Sequence, residues 1–105
     1  MNFISTRALA QVVLMSRELD RAEGELRAFI DRMSEDEQAE LVAIMWIGRG
    51  TFDADEFAEA FDTALREAST PTADYLIGTP HASDHIETGM DLLGMSAVEA
   101  EDALM

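Results

Sequence analysis

Residues 34–50 read SEDEQAELVAIMWIGRG. The stretch opens on a polar, acidic turn, continues into seven consecutive apolar residues (Leu41–Ile47) and stops at Gly48-Arg49-Gly50. Ser34 and Glu37 have the spacing of a capping box, in which hydroxyl and carboxylate satisfy free N–H groups of a helix's first turn. Glu35, Asp36 and Glu37 stand at the positive end of the helix dipole and Arg49 at the negative end. Both glycines can take the left-handed conformation that closes a helix. From Leu41 onward nearly every direction around such a helix is apolar, so this half must be covered on most sides. The expectation is a central buried helix over about residues 35–48, with the rest of the chain packed around it.

Toward the N-terminus, Ser5 can cap a first helix. Leu9, Val12, Val13, Ser16 and Leu19 fall at helical spacing as one buried stripe. Leu14 and Met15 widen that stripe, which points to contact on two sides, including a second subunit. The same phase continues through Ala22, Leu26, Phe29, Ile30 and Met33, so residues 5–33 form one helix or two. Two are favoured: Asp20 with Glu23 can cap a new helix, and Gly24 weakens a continuous one by about 1 kcal/mol relative to Ala. An uninterrupted rod of roughly 40 Å would also outrun a domain this small.

Toward the C-terminus, Asp53 with Glu56 supplies another capping box. Phe57, Ala60, Phe61, Ala64, Leu65 and Ala68 trace a one-sided stripe, with Asp55, Glu59 and Asp62 opposite. After a break at Ser69–Thr72, Thr72 caps a short helix Ala73–Ile77. Gly78 then ends that helix, Thr79 caps the next, and Pro80 takes the first helical position, where its missing N–H costs nothing. Ala82, Ile86, Met90 and Leu93 form the next stripe, closed by Gly94. Ser96 with Glu99 starts a last short helix, or residues 95–105 are a frayed tail. No segment alternates with a period of two. The fold class is all-α: a compact bundle of five to seven short helices in a single domain over residues 1–105.

The totals restrict function. The chain of 105 residues carries 22 acidic side chains against seven arginines, a net charge of −15, and lacks lysine. Such a surface repels phosphates and anionic membranes, so no direct contact with nucleic acid and none with membrane is expected. With no cysteine, disulfides, thiol chemistry and Cys-based metal sites are out of reach. The apolar run after Arg7 is short, broken by Gln11 and followed by Arg17-Glu18 rather than small residues, unlike a signal peptide. A cytoplasmic location is expected.

Glu25-Leu26-Arg27-Ala28-Phe29-Ile30, the block from Glu35 to Ala43, Trp46-Ile47-Gly48-Arg49-Gly50, and Ala73-Asp74-Tyr75-Leu76-Ile77-Gly78-Thr79-Pro80 occur in this order. Together they resemble the bacterial domain of unknown function 3775 family, over roughly residues 25–93, with 1–24 fitting less well. The resemblance implies a small helical bacterial domain and carries over no activity, substrate or cofactor.

Each candidate site residue has a plainer alternative. Trp46 either packs in the core or stacks on a ligand. Arg49, between two glycines at a helix end, complements the dipole and pairs with nearby acids. Its functional reading is a guanidinium gripping a carboxylate or phosphate, with Trp46 or Tyr75 beside it. His81 and His85, four apart on one helical face, have metal-ligand spacing and need a third ligand from elsewhere; otherwise they are a solvated turn. The acidic face Asp55, Glu59, Asp62 imitates a row of phosphates or is simply solvated. No nucleophile elbow, phosphate loop or cofactor motif is present, and no cofactor is expected. The reading is a non-enzymatic protein-interaction or oligomerisation module, whose partner is another protein or a second copy in a homodimer. The alternatives are a small anionic-ligand-binding domain using Arg49 and, third, a metal-dependent enzyme using His81 and His85.

Overall fold

The structure is a computed structural model that describes residues 3–95. It contains six α-helices, and no strand among the described residues. In chain order they are α1 (Thr6–Ser16), α2 (Leu19–Asp31), α3 (Glu35–Arg49), α4 (Phe57–Arg66), α5 (Thr72–Ile77) and α6 (Ala82–Leu92), with a 3-10 turn at Ala54–Glu56 leading into α4. The fold is the all-α bundle expected from the periodicity. The proposed last helix from Ser96 lies outside the described residues.

Helix α3 is the centre. The Ser34 hydroxyl accepts from the Glu37 N–H at 3.1 Å, and the Glu37 carboxylate accepts from the Ser34 N–H at 2.9 Å, completing the capping box. Gly50 closes the helix at φ 91°. Gly48, read as a second stop, is instead helical, and its missing side chain serves packing. Helix α6 crosses α3 there so closely that a Cβ on Gly48 would lie 1.6 Å from the His85 carbonyl oxygen. Gly89 meets α3 in the same way: its Cβ would lie 2.1 Å from the Ile44 carbonyl oxygen. Every residue from Ala39 to Met45 is buried, and so is Ile47.

Residues 5–33 form two helices, and the break falls at Arg17-Glu18 rather than at Asp20. Glu18 makes no side-chain cap; Arg17 turns instead to Glu87 on α6, 2.9 Å away. Helix α1 packs on α2 and α6, and its extra apolar width is partly used inside the chain, since Met15 lies against the main core. Leu14 is half-buried. Helix α2 packs on α5, where Arg27 bridges Glu23 and Asp74. Hydrogen bonding first to Asp74 and then to Glu23 raises the Arg27 pKa above its usual value.

The start of α6 also differs from expectation. Thr79 does not cap it: its hydroxyl donates back to the Tyr75 carbonyl at 2.7 Å. Pro80 therefore sits in the turn, and His81 precedes the helix in a left-handed conformation at φ 59°. No helix among the described residues is long and apolar enough to cross a membrane.

Candidate functional site

Helix α4 returns along α3, and the two share a small apolar cluster of Ala39, Val42 and Ala64, bordered by Trp46, Phe61, Leu65 and Tyr75. Small residues at the centre of this contact leave its outer edge unfilled. The chain after α4 then runs through residues 67–71, which line the same space, before α5 begins. Between α3, that loop and α5 lies an open groove of about 690 Å³, within the range of about 300–1,000 Å³ typical of ligand pockets.

Trp46 and Tyr75 form one wall. The indole N–H donates to the Tyr75 hydroxyl at 2.8 Å, and the ring stacks on Phe52 with centroids 5.8 Å apart. Both residues are half-buried: they pack against the core and also line the groove. Two of the three residues proposed for binding are thus brought together, although they lie 29 positions apart. Arg49 is not among the residues lining the groove. It is exposed, and its Nε donates to the Thr51 hydroxyl at 3.1 Å, at the negative end of α3.

The groove's charged lining residues are Glu35 and Glu67, with no basic side chain among them. Gln38 also lines it, with its amide nitrogen donating to the Ile30 and Met33 carbonyls at 3.1 Å each. That ties the end of α2 to the start of α3 and leaves the amide oxygen to accept.

His81 is exposed and His85 half-buried, with His81 Nδ1 3.9 Å from Asp84. No third ligand-type side chain gathers with the two histidines among the described residues. The carboxylates that do converge are Asp53, Asp55 and Glu56 in the turn before α4. There the Glu56 carboxylate is occupied in accepting from the Asp53 N–H at 2.7 Å. Asp55, Glu59 and Asp62 are all exposed.

One residue that pattern reading passes over is Glu40. It is only 2% exposed, and its carboxylate accepts from the backbone N–H of Phe3 at 3.1 Å and of Ile4 at 2.7 Å. This ties the segment before α1 to α3, with Ile4 buried and Phe3 stacked on Phe61 of α4. The local signal was there, an acid one residue before a seven-residue apolar run. Its partners lie more than 35 positions upstream, beyond any local pattern.

No curated protein and no solved structure matches the chain. Its residues 23–95 do match a family model described as "Protein of unknown function (DUF3775)". That span holds α3, the residues that line the groove and most of the core, well over half of the sequence, and the chain belongs to this family.

Proposed function

We propose that this protein is a non-enzymatic interaction module that holds a segment of a protein partner in the groove between α3, the 67–71 loop and α5. The observation that supports this most is the hydrogen-bonded Trp46–Tyr75 pair on the wall of an open groove of about 690 Å³. Tyrosine and tryptophan serve at interfaces because one body supplies apolar area and a polar edge that can stay wet. The groove brings together no nucleophile, base and orienting group of the kind an active site requires. Binding, not chemistry, is what its lining offers. Arg49, on this reading, completes the end of α3.

The test is capture of partners from source cells with tagged wild-type protein, Ala68→Phe and Arg49→Glu. Ala68 is exposed on the groove wall, so phenylalanine there obstructs part of the groove without disturbing the core. The captured protein, once identified, is purified and titrated while the fluorescence of Trp46, the single tryptophan, is followed. The expected result is that Ala68→Phe loses the partner and Arg49→Glu keeps it. A partner held equally by Ala68→Phe, or lost only with Arg49→Glu, overturns the assignment to the groove.

A further inference from the structure

We infer that the segment entering the groove is a short, extended, basic stretch of another protein, in which a lysine or arginine reaches Glu35 and Glu67 while an apolar neighbour lies against Trp46 and Tyr75. This rests on the groove being the binding site and adds the chemistry of the occupant.

Length comes first. From Glu35 to Trp46 the groove follows one face of α3 for eleven residues, roughly 16 Å at the helical rise. An extended chain advances about 3.3 Å per residue, so about five residues span it. Hydrogen-bonding capacity suits such a strand. The Tyr75 hydroxyl accepts from Trp46 and still has its own proton to donate, and the Gln38 amide oxygen remains free to accept.

Charge then selects the partner. The charged lining is acidic, and none of the seven arginines reaches it. Helix α4 ends at Arg66, a base that answers the negative end of that helix, and its C-cap Glu67 carries its own charge on the groove. The positive end of α3 is already answered by the Ser34–Glu37 box and by Glu35 and Asp36. An anion therefore finds no cation there, and the one uncapped helix start on the groove, that of the six-residue α5 at Pro71-Thr72, carries Asp74 in its first turn. Residues 96–105, SAVEAEDALM, bear three acids and no base, a composition that the acidic lining disfavours as occupant. A second copy, at net charge −15, meets the same repulsion. A basic segment of a different protein gains from the charge that those two suffer from.

The test uses two mixtures of blocked hexapeptides: one built from Lys, Arg, Leu, Phe and Pro, the other with Asp and Glu replacing Lys and Arg. Each is titrated into the full chain by Trp46 fluorescence and calorimetry, using wild type, Glu35→Gln/Glu67→Gln and Ala68→Phe, with folding checked by circular dichroism. The basic set is expected to bind and the acidic set not to. Ala68→Phe should abolish binding, and the double glutamine variant should weaken it roughly threefold to tenfold, as two exposed charge pairs allow. Raising salt from about 0.05 M to about 0.5 M should weaken it as well. Equal binding of the acidic set, or unchanged affinity in the double variant, overturns the inference. If Ala68→Phe still removes the captured partner, the groove stands and only the basic occupant falls. If neither set binds and Ala68→Phe also keeps the partner, both fall.

Discussion

Gly48→Ala and Gly24→Ala make the same chemical change inside two helices, and the structure assigns them opposite signs. Gly24 lies within α2, where a Cβ would meet nothing within 4 Å. Alanine there restricts the unfolded chain and improves helix propensity, worth up to about 1 kcal/mol of added stability. At Gly48 the same Cβ would lie 1.6 Å from the His85 carbonyl oxygen, 2.6 Å from its carbon and 2.7 Å from the Gly89 nitrogen. All three are backbone atoms, so no rotamer change relieves the clash. Comfortable contacts lie near about 3.5 Å, so α3 and α6 would have to part by nearly 2 Å. Ile44, Met45, Ile86 and Met90, all fully buried, would lose close contact together. Overpacking costs typically 1–3 kcal/mol, and occasionally more. With the propensity gain set against a clash at the upper end of that range, the net loss is about 2–4 kcal/mol. At about 4–8 °C per kcal/mol for a domain of this size, Gly48→Ala should melt at least about 8 °C below wild type. Gly24→Ala should melt a few degrees above it. Thermal melts followed by far-UV circular dichroism give the midpoints, and urea titrations followed by Trp46 fluorescence give the free energies. Equal stability of the two variants would refute the close crossing of α3 and α6.

Glu40→Ala removes a buried acceptor from the Phe3 and Ile4 N–H groups and should cost about 2–4 kcal/mol, whereas Glu40→Gln, which keeps an oxygen there, should lose less; urea midpoints and hydrogen exchange at Ile4 report both. Tyr75→Phe takes away the acceptor of the Trp46 indole N–H and should cost about 1 kcal/mol, with a changed Trp46 emission spectrum in the folded state as the accompanying sign. Gly50→Ala forces a side chain into φ 91° and should cost about 1 kcal/mol, read from the thermal midpoint.

What the sequence made legible was whatever depends on near neighbours. Ser34 and Glu37 are three positions apart, and the box forms as read. The apolar run Leu41–Ile47 required a covered helix, and α3 is covered. The errors arise where a distant residue competes. Gly48 has the composition of a stop signal, but α6, some forty residues later, needs its bare backbone. Thr79 has the look of a cap, yet its hydroxyl finds the Tyr75 carbonyl one turn back, which moves the start of α6 to Ala82. The break between α1 and α2 carries no side-chain cap from Glu18; Arg17 is held by Glu87 across the bundle. The groove was half legible. Trp46 and Tyr75 stood out as residue types, but their contact and the space beside them come from the course of residues 67–71, which no periodicity encodes.

The α3–α6 crossing also bears on how the chain can come to be folded. The surface that covers Ile44 and Gly48 is made from Ala82–Leu92, and α1 rests on that same helix. While these residues are still within the ribosome, the most buried helix of the protein has its closest neighbour missing, and α1 lacks one of the two helices it packs on. Local pieces such as α3 with its capping box can form early, but the core closes late, when one particular helix arrives from far along the chain. Folding of this domain is therefore set by contacts distant in sequence, slower than its helix content alone would imply. A nascent chain halted before Ala82 would expose the apolar side of α3 to whatever holds unfinished chains in the cell.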